Sequence, residues 1–514
     1  MTAAGPGPTI TATAAGTAPA GPPLPYAQAG PAAAAAPRPA RAARPGGRRP
    51  LLPPRTVAGR VRALTAAVVV ALVALLAATW IAVGNARDGV GVIGHDAGPQ
   101  VVATGNLYFH LTTMDAQLAN ALLIGRTEGL DIRRADALAR YDQSRLAAGD
   151  ALLTAGKLAD EPSEERTARD SLNALARYER LAGQALLLDQ RSGHTAGPPP
   201  QEVIAIYRQA TDLMKLDLLP KAYNLTLDNG TLVRHTYESE RRAVQAGQIW
   251  VIALGVVALG LLAVLQLLLF ARFRRLLNPA LAVATAATLA LVAAGALMLA
   301  GQLDHLRTAK TDGFDSLLAL SRARAISTSA NADETRFLLD PGRADTYEQV
   351  YLSKSQSVLY RPATNLARYN EAVQRDLGRT DLDPRRDRFL GFLGREAVHG
   401  GLAGQPDAYA EVLKTYRVFQ QSDSRVRALV DAGQSGRAIE ARLGGDAGFS
   451  SDRDFAAYDA ALRKLIGIHG EAFKKAVRDG DAGTRGWDVV IPVAGLVLIG
   501  LVLAGVRPRL AEYR

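Results

Sequence analysis

The chain has 514 residues and a net charge of +11, and 48% of its residues are hydrophobic although only 6% are aromatic. The apolar content is concentrated in four uncharged stretches, 63–86, 243–271, 276–303 and 489–506. A helix needs about 20 apolar residues to cross a bilayer core of about 30 Å, so composition excludes a purely cytosolic enzyme and points to a multi-pass membrane protein.

Residues 1–62 hold eight Arg and no acid, the loop after the second apolar stretch holds Arg272, Arg274 and Arg275, and the last eight residues add a charge of +2. Together these segments carry +13, which leaves −2 for everything else. Basicity confined to segments beside membrane spans is the positive-inside pattern, and it requires no nucleic-acid partner. The absence of cysteine excludes disulfides, thiolate metal sites and a cysteine nucleophile.

Residues 1–60, rich in Ala, Pro and Gly, form a disordered cytoplasmic tail. A span at 61–84 leads to an extracytoplasmic helical region at 85–247, followed by a span at 248–271. A cytoplasmic loop at 272–279 precedes the third span at 280–303. A second extracytoplasmic region at 304–486, a span at 487–506 and a cytoplasmic tail at 507–514 complete the chain. All three basic segments agree on this orientation, with both termini inside.

The two outer regions read as helical. Leu107, Leu111, Met114, Leu118 and Leu122 recur at spacings of three and four, as do Val203, Ile206, Tyr207, Ala210, Leu213 and Met214. Between them, 131–158 and 163–190 are rich in helix-forming Ala, Leu, Arg and Glu. Pro162 with Ser163, Glu164 and Glu165 marks a helix start, Gly193 and 198–200 a break, and Pro220 a kink. Asp383 with Pro384, and Ser451 with Asp454, are further start signals. No alternating pattern indicates a sheet.

Residues 115–123 align without gaps on 331–339, an offset of 216, with Ala116/Ala332, Leu122/Leu338 and Leu123/Leu339 identical. The same offset carries the first span onto the third, so the chain reads as a tandem repeat of span, outer helices and span. The second half has about twenty extra residues, assigned to the Gly-rich stretch 433–448. The expected fold class is an all-α membrane protein with four transmembrane helices and two extracytoplasmic four-helix-bundle-like regions.

Leu107, Tyr108, Asp115, Asn120–Leu123, Arg140, Tyr141, Arg177, Tyr178, 204–219 and Pro220 carry a resemblance to a family of actinobacterial four-span membrane proteins. These proteins have two outer helical regions and relay between an extracytoplasmic amino-acid-binding lipoprotein and the cytoplasmic serine/threonine protein kinase G. The plan also resembles, more distantly, chemoreceptor-type four-helix-bundle sensors. The resemblance extends over 56–514. It implies a lipoprotein and a kinase as partners and offers no catalytic residues.

Other motifs take simpler readings. Gly89, Gly91 and Gly94 match a G-x-G-x-x-G pattern but follow a span instead of a strand, so they read as a flexible exit hinge. The seven His are scattered without helical pairing, and no catalytic motif occurs. The expectation is therefore a non-enzyme with no cofactor and no catalytic or metal site. Arg126, Arg133, Arg134, Arg322 and Arg324 are the arginines considered for gripping a carboxylate, and the ligand-binding residues stay open. The other outer charges, such as Glu164–Arg169, read as a solvated face.

The span cores lack ionisable residues, which argues against a pump. Gln266, Thr285 and Thr288 serve helix packing, and Ala282, Ala286, Ala290 and Ala294 form a small-residue face for packing within the chain or against a second copy in a homo-oligomer. The expected function is a signal relay from an outer ligand, or a ligand-loaded binding protein, to a cytoplasmic partner such as a Ser/Thr kinase. A structural scaffold of a membrane complex is the alternative.

Overall fold

The computed structural model describes residues 57–157, 162–273, 278–379, 389–397, 401–445 and 449–511. The N-terminal tail, residues 274–277 of the basic loop after the second span, and the Asp383 and Pro384 signal lie outside the described residues.

Four described helical stretches are long and apolar enough to cross a membrane: Gly59–His95, Arg234–Ala271, Pro279–Leu339 and Ser451–Pro508. The protein is an all-α, multi-pass membrane protein. The third stretch has 61 residues, roughly 90 Å at the helical rise, about three times the bilayer core. Only its apolar first part can lie in hydrocarbon, and the remainder projects as a rod into a helical body.

In the first half α1 (Val57–Gly91) passes through a π-turn at Val92–Asp96 into α2 (Ala97–Ile124). Then come α3 (Arg134–Lys157), α4 (Pro162–Ser192) and α5 (Gln201–Leu213). Glu164 and Glu165 sit in the first turn of α4, where they complement the helix dipole. A π-turn at Met214–Leu218 joins α5 to α6 (Leu219–Phe273), which runs into the second span. Pro220 explains it, because its missing N–H leaves the carbonyl of Leu216 without the usual donor and the ladder re-registers one residue on. The break in the helical ladder expected at Pro220 is seen as this π-turn.

The second half begins alike. α7 (Pro279–Arg307) passes through a π-turn at Thr308–Asp315 into α8 (Ser316–Leu339). The offset of 216 maps Val92 onto Thr308, so both halves carry a π-turn at the same place in the repeat. The halves then diverge. After a 3-10 turn at Pro341–Arg343 come α9 (Ala344–Val358), α10 (Leu366–Leu377) and α11 (Gly391–Glu396). They are followed by α12 (Gln405–Asp431), α13 (Ser435–Leu443), α14 (Ser451–Thr484) and α15 (Trp487–Ala511). Among the described residues the only β pairing is an isolated bridge between Tyr360 and Leu390.

The two halves do not stand apart as separate bundles. α2 lies along α8, and one apolar core contains Leu111, Leu118 and Tyr207 of the first half together with Phe337, Leu339, Tyr347 and Leu443 of the second. Helix α13, within the stretch read as an insertion, crosses to the other half: the amides of Ile132 and Asp131 donate to the carbonyls of Leu443 (3.2 Å) and Gly444 (3.3 Å).

The four apolar segments share a core of Val68, Leu72, Leu262, Leu281, Leu498 and Val502. Gln266 donates to Thr285 Oγ1 at 2.6 Å and so links α6 to α7. Ala286, Ala290 and Ala294 are exposed on the outside of this cluster, while α7 packs internally through Leu281, Ala284, Thr288, Leu291 and Gly295. Of the small-residue stripe only Ala282 is half-buried, so most of it faces away from the chain's own core.

Of the three glycines read as a hinge, Gly94 lies in a close crossing with the other half, whereas a Cβ at Gly91 would meet nothing within 4 Å. A Cβ at Gly94 would come within 2.5 Å of Val477 Cγ1, and one at Gly480 within 2.9 Å of Val90 Cγ2. Each glycine makes room for a valine of the opposite half. Because β-branched Val477 has little freedom to move aside, Gly94→Ala is expected to lower stability by about 1–3 kcal/mol through overpacking. Gly149→Ala, where the added methyl meets nothing, should stabilise by up to about 1 kcal/mol. Thermal unfolding in mild detergent measures both.

Candidate functional site

The projecting rods are joined by a buried ionic core. Arg336 on α8 is 1% exposed. Its Nε donates to Tyr207 Oη (3.0 Å), its Nη1 to Asp333 Oδ1 (2.5 Å) and its Nη2 to Asp115 Oδ2 of α2. Asp115 also accepts from Tyr178 of α4 (3.0 Å) and Thr211 of α5 (2.9 Å). Asp333 accepts from Lys215 (3.0 Å) in the π-turn before α6 and from Lys354 of α9. Five charged groups from both halves therefore share one site, and Lys215 and Lys354 form its partly exposed edge.

The electrostatics follow from that crowding. Burial alone would raise the Asp333 carboxyl, but Lys354, Lys215 and Arg336 hold it well below the usual carboxylate range. Burial pulls Lys215 down and brings Lys354 to about 8, against the opposing pull of Asp333. Every carboxylate oxygen of Asp115 and Asp333 has a donor, which is the condition under which a buried ion pair is tolerable.

A second polar layer lies on the adjoining face of α8. Thr335 donates to Asn120 Oδ1 (2.9 Å) across the two halves, and fully buried Arg442 donates to Thr335 Oγ1 (3.1 Å) and the Asn331 carbonyl (3.3 Å). Ser451, a residue of the helix-start signal, donates to Glu334 at 2.8 Å. Ser450 caps α14 in its place, accepting from the amide of Arg453. Burial pushes Glu334 up to about 7. Nearer the spans, His469 bridges the Asp312 carbonyl (2.5 Å) and Glu396 (2.6 Å). Burial opposes charging that ring, but the bond to Glu396, its negative charge and the Asp312 contacts together outweigh burial and raise the pKa.

The five arginines considered from sequence separate clearly. Arg126 donates to the Gln190 carbonyl (2.9 Å), and Arg133 forms an exposed two-point bond with Asp136 (2.8 Å each). Arg134 closes the end of α2 through the Ala121 carbonyl (2.9 Å) and also binds Asp189. Arg324 grips Asp459 (2.6 and 3.1 Å) and stacks 3.9 Å above Phe109. Arg322 is different: its Nε is buried with no acceptor, and its neighbour is the Tyr223 ring, 5.4 Å away.

Sequence reading missed Lys215, Asp333, Arg336 and Lys354, because charges on a helix read as a solvated face. The available signal was the repeat alignment, which set Asp115 and Asn120 opposite Asn331 and Arg336. Asp115, Asn120 and Tyr178, which helped carry the family resemblance, all lie in these polar layers.

Residues 89–238 match a family described as an actinobacterial sensor domain. The match spans less than a third of the chain and includes the first-half contributors to the ionic core. No curated protein and no solved structure matches the chain.

Removing one partner of a buried ion pair costs about 3–5 kcal/mol, because the other charge is left uncompensated. Asp115→Ala and Arg336→Met are each expected to lower stability by about that much, and the double variant by clearly less than their sum. A double-mutant cycle from thermal unfolding in detergent measures the difference.

Proposed function

We propose that the protein is a non-enzymatic transmembrane signal relay. In this reading the helical body faces the cell exterior and senses a small ligand or a ligand-loaded binding protein such as an amino-acid-binding lipoprotein. Its state passes to a cytoplasmic partner, for which a Ser/Thr protein kinase is the expected class. Support for an outward-facing body comes from the basic segments flanking the spans, and support for sensing from the actinobacterial sensor match at 89–238.

The observation that carries the reading is mechanical. α2 and α8, which hold the two ends of the Asp115–Arg336 bond, each continue through a π-turn into a membrane-spanning helix. A change in how α2 and α8 fit together reaches the far ends of the spans without passing through a flexible loop. π-turns are local defects in the helical ladder, so two registers of a rod differ little in hydrogen bonding. A partner that favours one arrangement over the other would shift the balance between them.

Paired cysteines test this without knowledge of the ligand, since the chain has no native cysteine. Arg60 and Arg507 are exposed near the ends of α1 and α15, helices whose Val61 and Val506 share one core. The crosslinking yield of Arg60→Cys/Arg507→Cys is expected to change when Arg336→Met is added. An unchanged yield in a folded protein would favour a static scaffold. In intact cells a membrane-impermeant maleimide is expected to label Asp150→Cys but not Arg60→Cys, and the reverse would overturn the orientation.

A further inference from the structure

Beside the first turns of α8 lies a cleft of about 270 Å³ lined by residues that include Asp315, Leu318, Arg322, Phe392, Arg395 and Glu396. We propose that this cleft binds a small soluble organic carboxylate through Arg322 and Arg395. The proposal rests on the relay reading only for its consequence, since it names a ligand class the relay would sense; the binding itself stands on the following geometry.

Arg322 has no hydrogen bond or ion pair among the described residues, and its buried Nε lacks an acceptor. An arginine forgoing a carboxylate partner is out of keeping with the other arginines considered above, each of which has found an oxygen. Burial lowers its pKa; Tyr223 opposes that and nearby Arg395 adds to it, and no carboxylate is among the groups that act on it. Planar guanidinium is the side chain best matched to a carboxylate, which it can hold with two parallel bonds.

The two acids in the lining do not fill this role. Asp315 is held by Lys310 (2.5 and 2.7 Å), and Glu396 by His469 (2.6 Å) and Gln405 (2.6 Å). With those acids engaged, Arg322 still has no oxygen partner among the described residues. Arg395 contributes from α11, resting 4.7 Å from the Phe392 ring. Leu318 also borders an adjoining hollow of about 150 Å³ lined by Phe314, Leu317 and Ile466, which provides apolar surface for the body of an organic anion.

A lipid headgroup is too far away. Arg322 lies 19 residues beyond Leu303, the last residue of the uncharged stretch, or about 28 Å along the rod. The polar layer of a bilayer extends only about 5–8 Å past its hydrocarbon. The cleft also joins α8 and α11 next to the π-turn Thr308–Asp315, so an anion bridging the two arginines would act where the rod changes register.

Isothermal titration of the purified full-length protein in mild detergent tests the proposal, with succinate, its uncharged counterpart succinamide, and inorganic phosphate as probes. Saturable succinate binding is expected, with no binding of succinamide and weaker binding of phosphate. Arg322→Gln should weaken succinate binding at least tenfold, Arg322→Lys should restore part of it, and Arg133→Gln should leave it unchanged. Equal binding by Arg322→Gln, no binding by the native protein, or a preference for phosphate would overturn the proposal. Succinate binding that leaves the Arg60–Arg507 crosslink unaltered would uphold the site and count against the relay alone.

Discussion

A guanidinium that is almost wholly buried and held between carboxylates of two different halves constrains everything else in this molecule. Arg336 cannot leave Asp115 without stranding a charge in the interior, and Asp115 cannot leave Arg336 while Tyr178 and Thr211 hold its oxygens in place. The bond therefore fixes α2 against α8. Since each of those helices runs on into a span, it also fixes how the membrane-embedded helices emerge. Buried ionic groups seldom add net stability over an apolar core, but they penalise alternative registers strongly. Here that penalty falls on any relative sliding of the two rods.

The repeat gives this constraint its geometry. Two halves of common plan place a π-turn at equivalent positions, and the close Gly94–Val477 and Val90–Gly480 contacts bring the segments beside those turns together. Beyond α8 the halves differ, and the difference is put to use. α9 supplies Lys354 to the ionic core, α13 supplies Arg442 to the layer above it, and α11 carries Arg395 and Glu396 to the cleft beside Arg322. One half retains long, regular helices, while the other breaks into short ones that line polar sites.

Much of this was legible in the sequence. Uncharged runs of about 20 residues have few alternatives to a membrane span, and the three- and four-residue spacing of Leu107 to Leu122 defines a buried helix face, since all five of its residues are buried. The helix start at Pro162 and the break at Gly193 follow from backbone geometry alone. Illegible was the fate of charged residues. Asp333, Glu334 and Arg336 look, in sequence, like any solvated helix face, yet the helix there is buried on every side from Ser327 to Leu339. Local pattern reports which face of a helix is apolar, but not whether another half of the chain will cover the polar one. Gly94 shows a related ambiguity: conformational freedom and close packing leave the same mark on a sequence.

The central claim is that the two halves form one mechanically coupled body, and cooperative unfolding tests it most directly. Single reporter dyes at Asp150→Cys on α3 and Lys414→Cys on α12, both exposed positions, follow the halves separately during denaturant unfolding in mild detergent. Coupling through the buried ionic core predicts coincident transitions at the two dyes. Two well-separated midpoints would show that the halves fold independently, and would contradict the account.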